Sequence, residues 1–119
     1  MKSYKDLIAW QKAIALVKEI YKIVGRLPKQ ETYILSAQML RAAISIPSNI
    51  AEGSRRNHKA EYIQFLSIAT ASAAELETQI IIAKNQYPSI GYSVCEGLTN
   101  EVQKMLYVII NKLKSNQNI

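Results

Sequence analysis

The apolar residues of this chain recur every three or four positions, which is the spacing of one face of an α-helix. The pattern is clear from Tyr4 to Val24, where Ser3 and Asp6 form an S-x-x-D capping signal. Its apolar face carries Leu7, Trp10, Ala13, Ile14, Val17, Ile20, Tyr21 and Val24. The segment GRLPKQ, residues 25–30, then turns the chain. The pattern therefore predicts a first amphipathic helix that ends at this turn.

Three further segments have the same helical spacing. The second runs from Glu31 to Ser54, and the third runs from His58 to Asn85 with Asn57 as its expected N-cap. The fourth begins at Ser93, where Ser93 and Glu96 have the spacing of a capping box. We expect its apolar residues to face a core, namely Val94, Leu98, Val102, Met105, Leu106, Ile109, Ile110 and Leu113.

The connections between these segments are short, so that consecutive helices must run antiparallel. The predicted fold is all-α: one domain over residues 1–119, built as an up-down-up-down antiparallel four-helix bundle. The apolar faces of the first and third helices are wider than a bundle interior needs. This excess predicts self-association, and the alternative is a monomer with large apolar side chains half exposed.

Pro47 lies in the middle of the second segment, where it cannot donate a hydrogen bond to the carbonyl of Ala43. The chain can respond by a kink at Ile46–Pro47, with Ser45 or Ser48 helping to satisfy backbone groups, or by a break and a restart. The apolar spacing continues in phase across the proline, and Ile46 would be a poor N-cap. The sequence therefore favours one helix kinked at Pro47.

Two polar stripes accompany these apolar faces. On the second helix the stripe comprises Gln38, Arg41, Ser45, Ser48, Asn49, Glu52 and Arg56, and on the third it comprises Glu61, Gln64, Ser72, Glu75 and Gln79. One interpretation is a structural seam, in which Arg41 or Arg56 pairs with Glu75 or Glu61 within one subunit or between subunits. The other is a ligand or phosphate site at the kink, with Arg41, Arg55 and Arg56 as phosphate donors.

The charge of the chain is strongly basic, with 15 Lys and Arg against 9 Asp and Glu and a formal net charge of +6. This balance favours polyanionic partners such as RNA or DNA. One candidate patch lies on the first helix and a second begins within the second helix. They comprise Lys12, Lys18, Lys22 and Arg26, and Arg41, Arg55, Arg56 and Lys59. Contacts would be mainly to phosphate.

The longest apolar run, residues 13–17, is far shorter than the ~20 residues that span a bilayer, and the start of the chain lacks the apolar stretch of a signal peptide. The single cysteine, Cys95, excludes an internal disulfide. We expect a cytoplasmic protein with no membrane partner.

The residue types that carry enzyme chemistry are scarce. One His and one Cys, without an E-x-x-H or C-x-x-C spacing, give no metal site, and no glycine-rich phosphate loop is present. Four-helix-bundle ribonucleases have an R-x4-H motif, but Arg55 and Arg56 precede His58 by only three and two residues. We predict no enzyme activity, no metal and no cofactor.

Three motifs carry a resemblance to a known family, namely DLIAWQKA, SIPSNIAEGSRR and EYIQFLSIATASAAELETQ. In these motifs the chain resembles one bacterial family, the four-helix bundles encoded within intervening sequences of 23S ribosomal RNA genes. Accessory variability proteins of diversity-generating retroelements are among its relatives. The likeness covers Asp6 to Gln79, with Ala71 and Ile34 where glycine is common. Its central motif falls on Arg41, Pro47, Asn49, Glu52, Gly53 and Arg56, none of which it makes catalytic.

This resemblance implies a homo-oligomeric bundle with a basic surface, a pentamer in the retroelement branch, where it is thought to bind nucleic acid and a reverse transcriptase. Our leading hypothesis is therefore a non-enzymatic homo-oligomer that binds RNA or DNA through basic helix surfaces. The alternative is a structural or adaptor oligomer whose partner is a protein.

Overall fold

The computed structural model describes residues 3–116 and contains four long helices. They are α1 (Ile8–Arg26), α2 (Ala37–Ser54), α3 (Lys59–Gln86) and α4 (Ser93–Asn116). Each helix packs against the next one in the chain, and α1 closes the ring by packing against α4. The molecule measures 51 × 21 × 19 Å, as expected for four long helices that lie side by side. The predicted all-α, up-down-up-down four-helix bundle is confirmed.

The core lies along the axis of the bundle, and every helix contributes to it. Its largest fully buried aliphatic side chains are Leu16, Ile20, Met39, Ile46, Ile50, Leu66, Leu76, Ile80, Val102 and Leu106. They recur at three- and four-residue steps, so that burial of apolar area stabilises all four helices together. The assignment of Val94 to the core is wrong, because its side chain is 58% exposed in the first turn of α4.

The first helix begins later than its pattern predicts. Ser3 does act as a cap, since its Oγ accepts a hydrogen bond from the backbone N–H of Lys5 at 3.2 Å. The turn that it caps is a separate 3₁₀ helix, Tyr4–Asp6. Leu7 has extended backbone angles and separates this turn from α1.

The approach to α2 also differs from the predicted helix that begins at Glu31. A 3₁₀ turn, Lys29–Glu31, leads into a π-helical turn, Thr32–Ser36, and only then does α2 begin. The Glu31 carboxylate accepts a hydrogen bond of 2.6 Å from the hydroxyl of Tyr87, which follows α3. This tertiary contact holds the chain in a path that no local signal in the sequence specifies.

The expected caps of the last two helices are not the observed ones. The N-cap of α3 is His58, one residue after the expected Asn57. His58 has extended backbone angles and makes no side-chain capping bond. The carboxylate of Glu96 accepts a hydrogen bond from Lys84 of α3 at 3.2 Å, and so pairs two helices rather than closing a capping box.

Pro47 lies within α2, which continues on both sides of it without a break. The restart alternative is therefore not observed, whereas the kink remains a prediction. Side chains support the neighbouring carbonyls: Ser48 Oγ donates to the carbonyl of Ile44 at 2.8 Å, and Asn49 Nδ2 donates to that of Ser45 at 2.8 Å. The ring of Pro47 is buried.

The connection between α3 and α4 is fixed by a tyrosine. The buried Tyr92 hydroxyl lies 3.0 Å from the carbonyl oxygen of Ala83 and 2.8 Å from that of Tyr87. Burial raises the pKa of Tyr92. Cys95, one turn further on, donates its thiol to the Tyr92 carbonyl at 3.2 Å, and burial raises the pKa of this thiol to about 11.

Apolar side chains also lie on the outside of the bundle, as the width of the helical faces predicts. They include Ile8, Ile14, Tyr21, Ile44, Ile68, Ile81 and Ile82, each between 42% and 60% exposed. Within the described residues, α3 alone is long and apolar enough to match a membrane span by length and composition. Core helices of globular bundles share that composition.

Candidate nucleic-acid interface

Most of the basic residues proposed on α1 are already engaged. Lys12 Nζ lies 3.4 Å from a carboxylate oxygen of Glu101 in α4, and Lys22 Nζ lies 3.0 Å from that of Glu19. Arg26 Nη1 donates to the carbonyl oxygen of Ile90 at 3.0 Å, which ties the end of α1 to the α3–α4 connection.

Lys18 is different, because it is exposed and its ammonium group has neither an ion-pair nor a hydrogen-bond partner among residues 3–116. The spacing of Lys12 and Arg26 along α1 is 14 residues, or about 21 Å. Lys12 also pairs with Glu101 across the α1–α4 contact. The four basic residues proposed on α1 therefore do not form one compact patch.

Of the second set of basic residues proposed from the sequence, only Arg55, Arg56 and Lys59 lie close together. Arg55 is the C-cap of α2, His58 is the N-cap of α3, and Lys59 is the first residue of α3. Arg56 Nη2 lies 3.0 Å from a carboxylate oxygen of Glu52. The structure thus brings Arg55, Arg56 and Lys59 together within residues 55–59, all of them exposed.

The Arg56 guanidinium also lies over the ring of Phe65, with its central carbon 4.8 Å from the ring centre. This contact and the ion pair with Glu52 fix the direction of the side chain. Arg41 lies 14 residues before Arg55 on α2, about 21 Å away, and does not belong to the same patch.

The same end of the bundle carries cations that the sequence interpretation missed. The antiparallel order places the start of α1 and the last turns of α4 beside the α2–α3 connection. In the described part of the chain, the cations at this end are Lys5, Arg55, Arg56, Lys59, Lys112 and Lys114, against the carboxylates of Asp6, Glu52 and Glu61. We call these six residues the basic end. The predicted antiparallel order of the helices could already have shown that these six residues lie at the same end of the bundle.

The polar stripes meet as a hydroxyl seam rather than as a set of ion pairs. Ser45 Oγ of α2 and Ser72 Oγ of α3 lie 2.8 Å apart, and Asn49 Nδ2 donates to Ser45 Oγ at 2.9 Å. No ion pair joins Arg41 or Arg56 to Glu75 or Glu61 in the part of the chain that the structure describes. The predicted salt-bridge seam is therefore wrong within one chain, because short hydroxyl side chains fill this contact.

A sequence model for the 23S rRNA-intervening sequence protein family matches residues 5–108. The chain belongs to this family. The match covers the whole of α1, α2 and α3 and most of α4. It confirms the resemblance of the three quoted motifs and extends it beyond Gln79.

Among solved structures, this family member is similar to a protein from Bacteroides thetaiotaomicron VPI-5482, described as a protein with unknown function from the S23 ribosomal protein family. The likeness covers 87% of this chain and 96% of that one, with a TM-score of 0.79 and 24% sequence identity. It shows a shared fold. A comparison with curated proteins gave no significant match.

The chemistry available at the basic end is that of charge and hydrogen-bond donation. Guanidinium and ammonium groups bind phosphate oxygens, and arginine does so in a bidentate way. Over residues 3–116 no group of three or more His, Cys, Asp or Glu side chains is arranged to hold a metal ion.

Proposed function

We propose that this family member is a non-enzymatic homo-oligomer that binds RNA or DNA through the phosphate backbone. The basic end is the binding surface in this proposal. The resemblance implies a homo-oligomer, with five copies in the retroelement branch, and a reverse transcriptase is a further candidate partner.

One observation supports the proposal most directly: among residues 3–116, six cations and three carboxylates lie at one end of the bundle. Arg55 and Lys59 have no carboxylate within 4.0 Å among the described residues, so that binding phosphate would not require breaking an ion pair of theirs. The exposed cations of α1 are a weaker choice, because Lys12 and Lys22 would first separate from Glu101 and Glu19. Surface ion pairs contribute only ~0–1 kcal/mol, so that this difference is modest.

Phosphate contacts release counterions from the nucleic acid, which makes affinity fall steeply with salt and gives little sequence preference. The exposed tyrosines, Tyr21, Tyr33 and Tyr107, are spread over α1, the π turn and α4. They do not form a row on which consecutive bases would stack, and the proposal therefore includes no preference for single strands.

The test is a salt titration of binding to labelled RNA and DNA duplexes, read by fluorescence anisotropy. The variant Arg55→Ala/Lys59→Ala removes two cations of the basic end, and Lys22→Ala/Arg26→Ala is the matched control on α1. We expect the slope of log K against log salt to become smaller by about two for the first variant and to change less for the control. An absence of binding at ~50 mM salt would contradict the proposal. If the salt slope changed only in the control variant, the nucleic-acid binding surface would lie on α1 instead of the basic end.

The second candidate is an adaptor oligomer that binds a protein. The exposed apolar residues of α3 and α4, such as Ile82 and Tyr107, favour it. This function predicts an affinity for the partner that changes little with salt, together with no binding of either nucleic acid.

A further inference from the structure

A groove of about 300 Å³ runs along the outside of the bundle between α1 and α2. Its walls are mostly apolar: Trp10, Ile14 and Val17 line it from α1, and Ile44, Pro47 and Ala51 line it from α2. Tyr4 and Ser48 complete the lining. Ile14 and Ile44 remain 43% and 42% exposed. The groove is therefore an apolar surface that one copy of the chain leaves uncovered.

Each rim of this groove carries a cation that forms no ion pair within residues 3–116. Lys18 lies on α1 beside Val17, and Arg41 lies on α2 one turn before Ile44. Because Val17 and Ile44 line the groove together and the two helices are antiparallel, Lys18 and Arg41 lie at similar heights. Neither has a carboxylate within 4.0 Å in the described part of the chain.

The outward side of α3 has the complementary shape and charge. Its exposed ridge consists of Ala71, Ala74, Thr78 and Ile81, at helical three- and four-residue steps. The small side chains of Ala71 and Ala74 let a helix approach its neighbour closely.

Glu75 and Glu77 flank this ridge on its two sides. At about 100° per residue, Glu75 lies about 100° from Ala74 in one sense and Glu77 about 60° in the other. Both are exposed, and neither has a cation within 4.0 Å among residues 3–116.

We infer that the α3 ridge of a second copy occupies the α1–α2 groove, with its Glu75 and Glu77 opposite Lys18 and Arg41 of the first. An apolar groove with a cation on each rim then meets an apolar ridge with a carboxylate on each flank. The inference rests on the self-association part of the proposed function and specifies the surfaces that make it.

The two surfaces differ, so that the contact is head-to-tail rather than symmetric. A head-to-tail contact leads to a closed ring or to an open filament. It also assigns Lys18 and Arg41 to the contact between copies, whereas the basic end remains outside it and free for nucleic acid.

Charge reversal tests the pairing of the two surfaces. The groove variant is Lys18→Glu/Arg41→Glu and the ridge variant is Glu75→Lys/Glu77→Lys, each followed by sedimentation velocity with helical circular dichroism as the check on folding. We expect each variant alone to be a monomer of about 13.4 kDa, because like charges then face each other. A 1:1 mixture should recover a larger mass, because the mutated groove attracts the mutated ridge and each unmutated surface also finds its partner.

The matched control is Lys29→Glu/Lys104→Glu, at two exposed lysines outside the groove, the ridge and the basic end, which should keep the wild-type mass. Ala74→Trp supplies a steric test that leaves the charges intact, and we expect it to be monomeric because an indole on the ridge does not fit the groove. A wild-type monomer would overturn the self-association itself. A wild-type oligomer that both charge variants preserve, or a mixture that fails to reassociate, would overturn this pairing alone.

Discussion

The hydroxyl oxygens of Ser45 in α2 and Ser72 in α3 lie 2.8 Å apart in a partly buried contact between the two helices. Asn49 extends this contact, since its Nδ2 donates both to Ser45 Oγ and to the Ser45 carbonyl. A hydrogen bond between helices fixes their relative height, which apolar packing alone leaves less strictly defined. The seam thus sets the register in which α3 presents its outer face.

A double-mutant cycle between these serines measures the strength of the seam. Ser45→Ala and Ser72→Ala should show a coupling of ~0.5–1.5 kcal/mol in the free energy of unfolding, measured by urea denaturation. The control cycle pairs Ser45→Ala with Thr78→Ala, whose hydroxyl donates to the Ala74 carbonyl of its own helix at 3.0 Å. Additive effects in the serine cycle would mean that the 2.8 Å contact does not stabilise the fold.

Gly53 is required by the closeness of α2 and α3. A methyl group at this position would lie 2.6 Å from Cβ of Phe65 and 3.0 Å from a ring carbon of Tyr62. Gly53→Ala should therefore lower the free energy of unfolding by about 1–3 kcal/mol, through overpacking.

The matched control for Gly53 is Gly97→Ala in α4, where a methyl group would meet no atom within 4 Å. Here the substitution should raise stability by up to about 1 kcal/mol, because alanine is the better helix former. Thermal unfolding of the two variants side by side distinguishes crowding from helix propensity. Equal effects of the two substitutions would rule out the crowding explanation.

Tyr92 should contribute to stability through its hydroxyl group. Tyr92→Phe removes the donor that reaches the carbonyl oxygens of Ala83 and Tyr87, and we expect a loss of about 1–2 kcal/mol in the free energy of unfolding. Tyr107→Phe is the control, since that side chain is 68% exposed and should change stability by less than about 0.5 kcal/mol. Matching urea midpoints for the two variants would contradict the anchoring role of Tyr92.

Cys95 should make the fold sensitive to alkaline pH. The pKa of its thiol is raised from 9.0 to about 11 in the folded chain, so that the unfolded chain loses this proton first as the pH rises. The contribution to stability is complete below pH 9 and is lost between pH 9 and pH 11. The difference in unfolding free energy between wild type and Cys95→Ala should therefore shrink from pH 8 to pH 10.5. A difference that stays constant over this range would show that the thiol titrates normally.

The helices and their order could be predicted from the sequence because each combines a wide apolar face with short connections. The residues of α4 from Leu98 to Leu113 that were assigned to the core are indeed buried or partly buried. Val94 was misplaced because the periodicity continues into the first turn of α4, where its side chain is 58% exposed. The π-helical turn at Thr32–Ser36 was missed because the contact between Glu31 and Tyr87 joins residues 56 positions apart.

The candidate site was only partly predictable for a similar reason. The grouping of Arg55, Arg56 and Lys59 followed from their closeness in sequence. To predict that Lys5 and Lys112 lie at the same end, one must also know which helix ends are neighbours in three dimensions. The pairing of Lys12 with Glu101 depends on the packing of α1 against α4, and no pattern within either helix indicates it.

The most direct test of the account is the solution mass of the wild-type chain, measured by light scattering coupled to gel filtration at several concentrations. The exposed apolar groove and ridge predict a discrete multiple of 13.4 kDa that persists on dilution. A mass of 13.4 kDa at every concentration would contradict it.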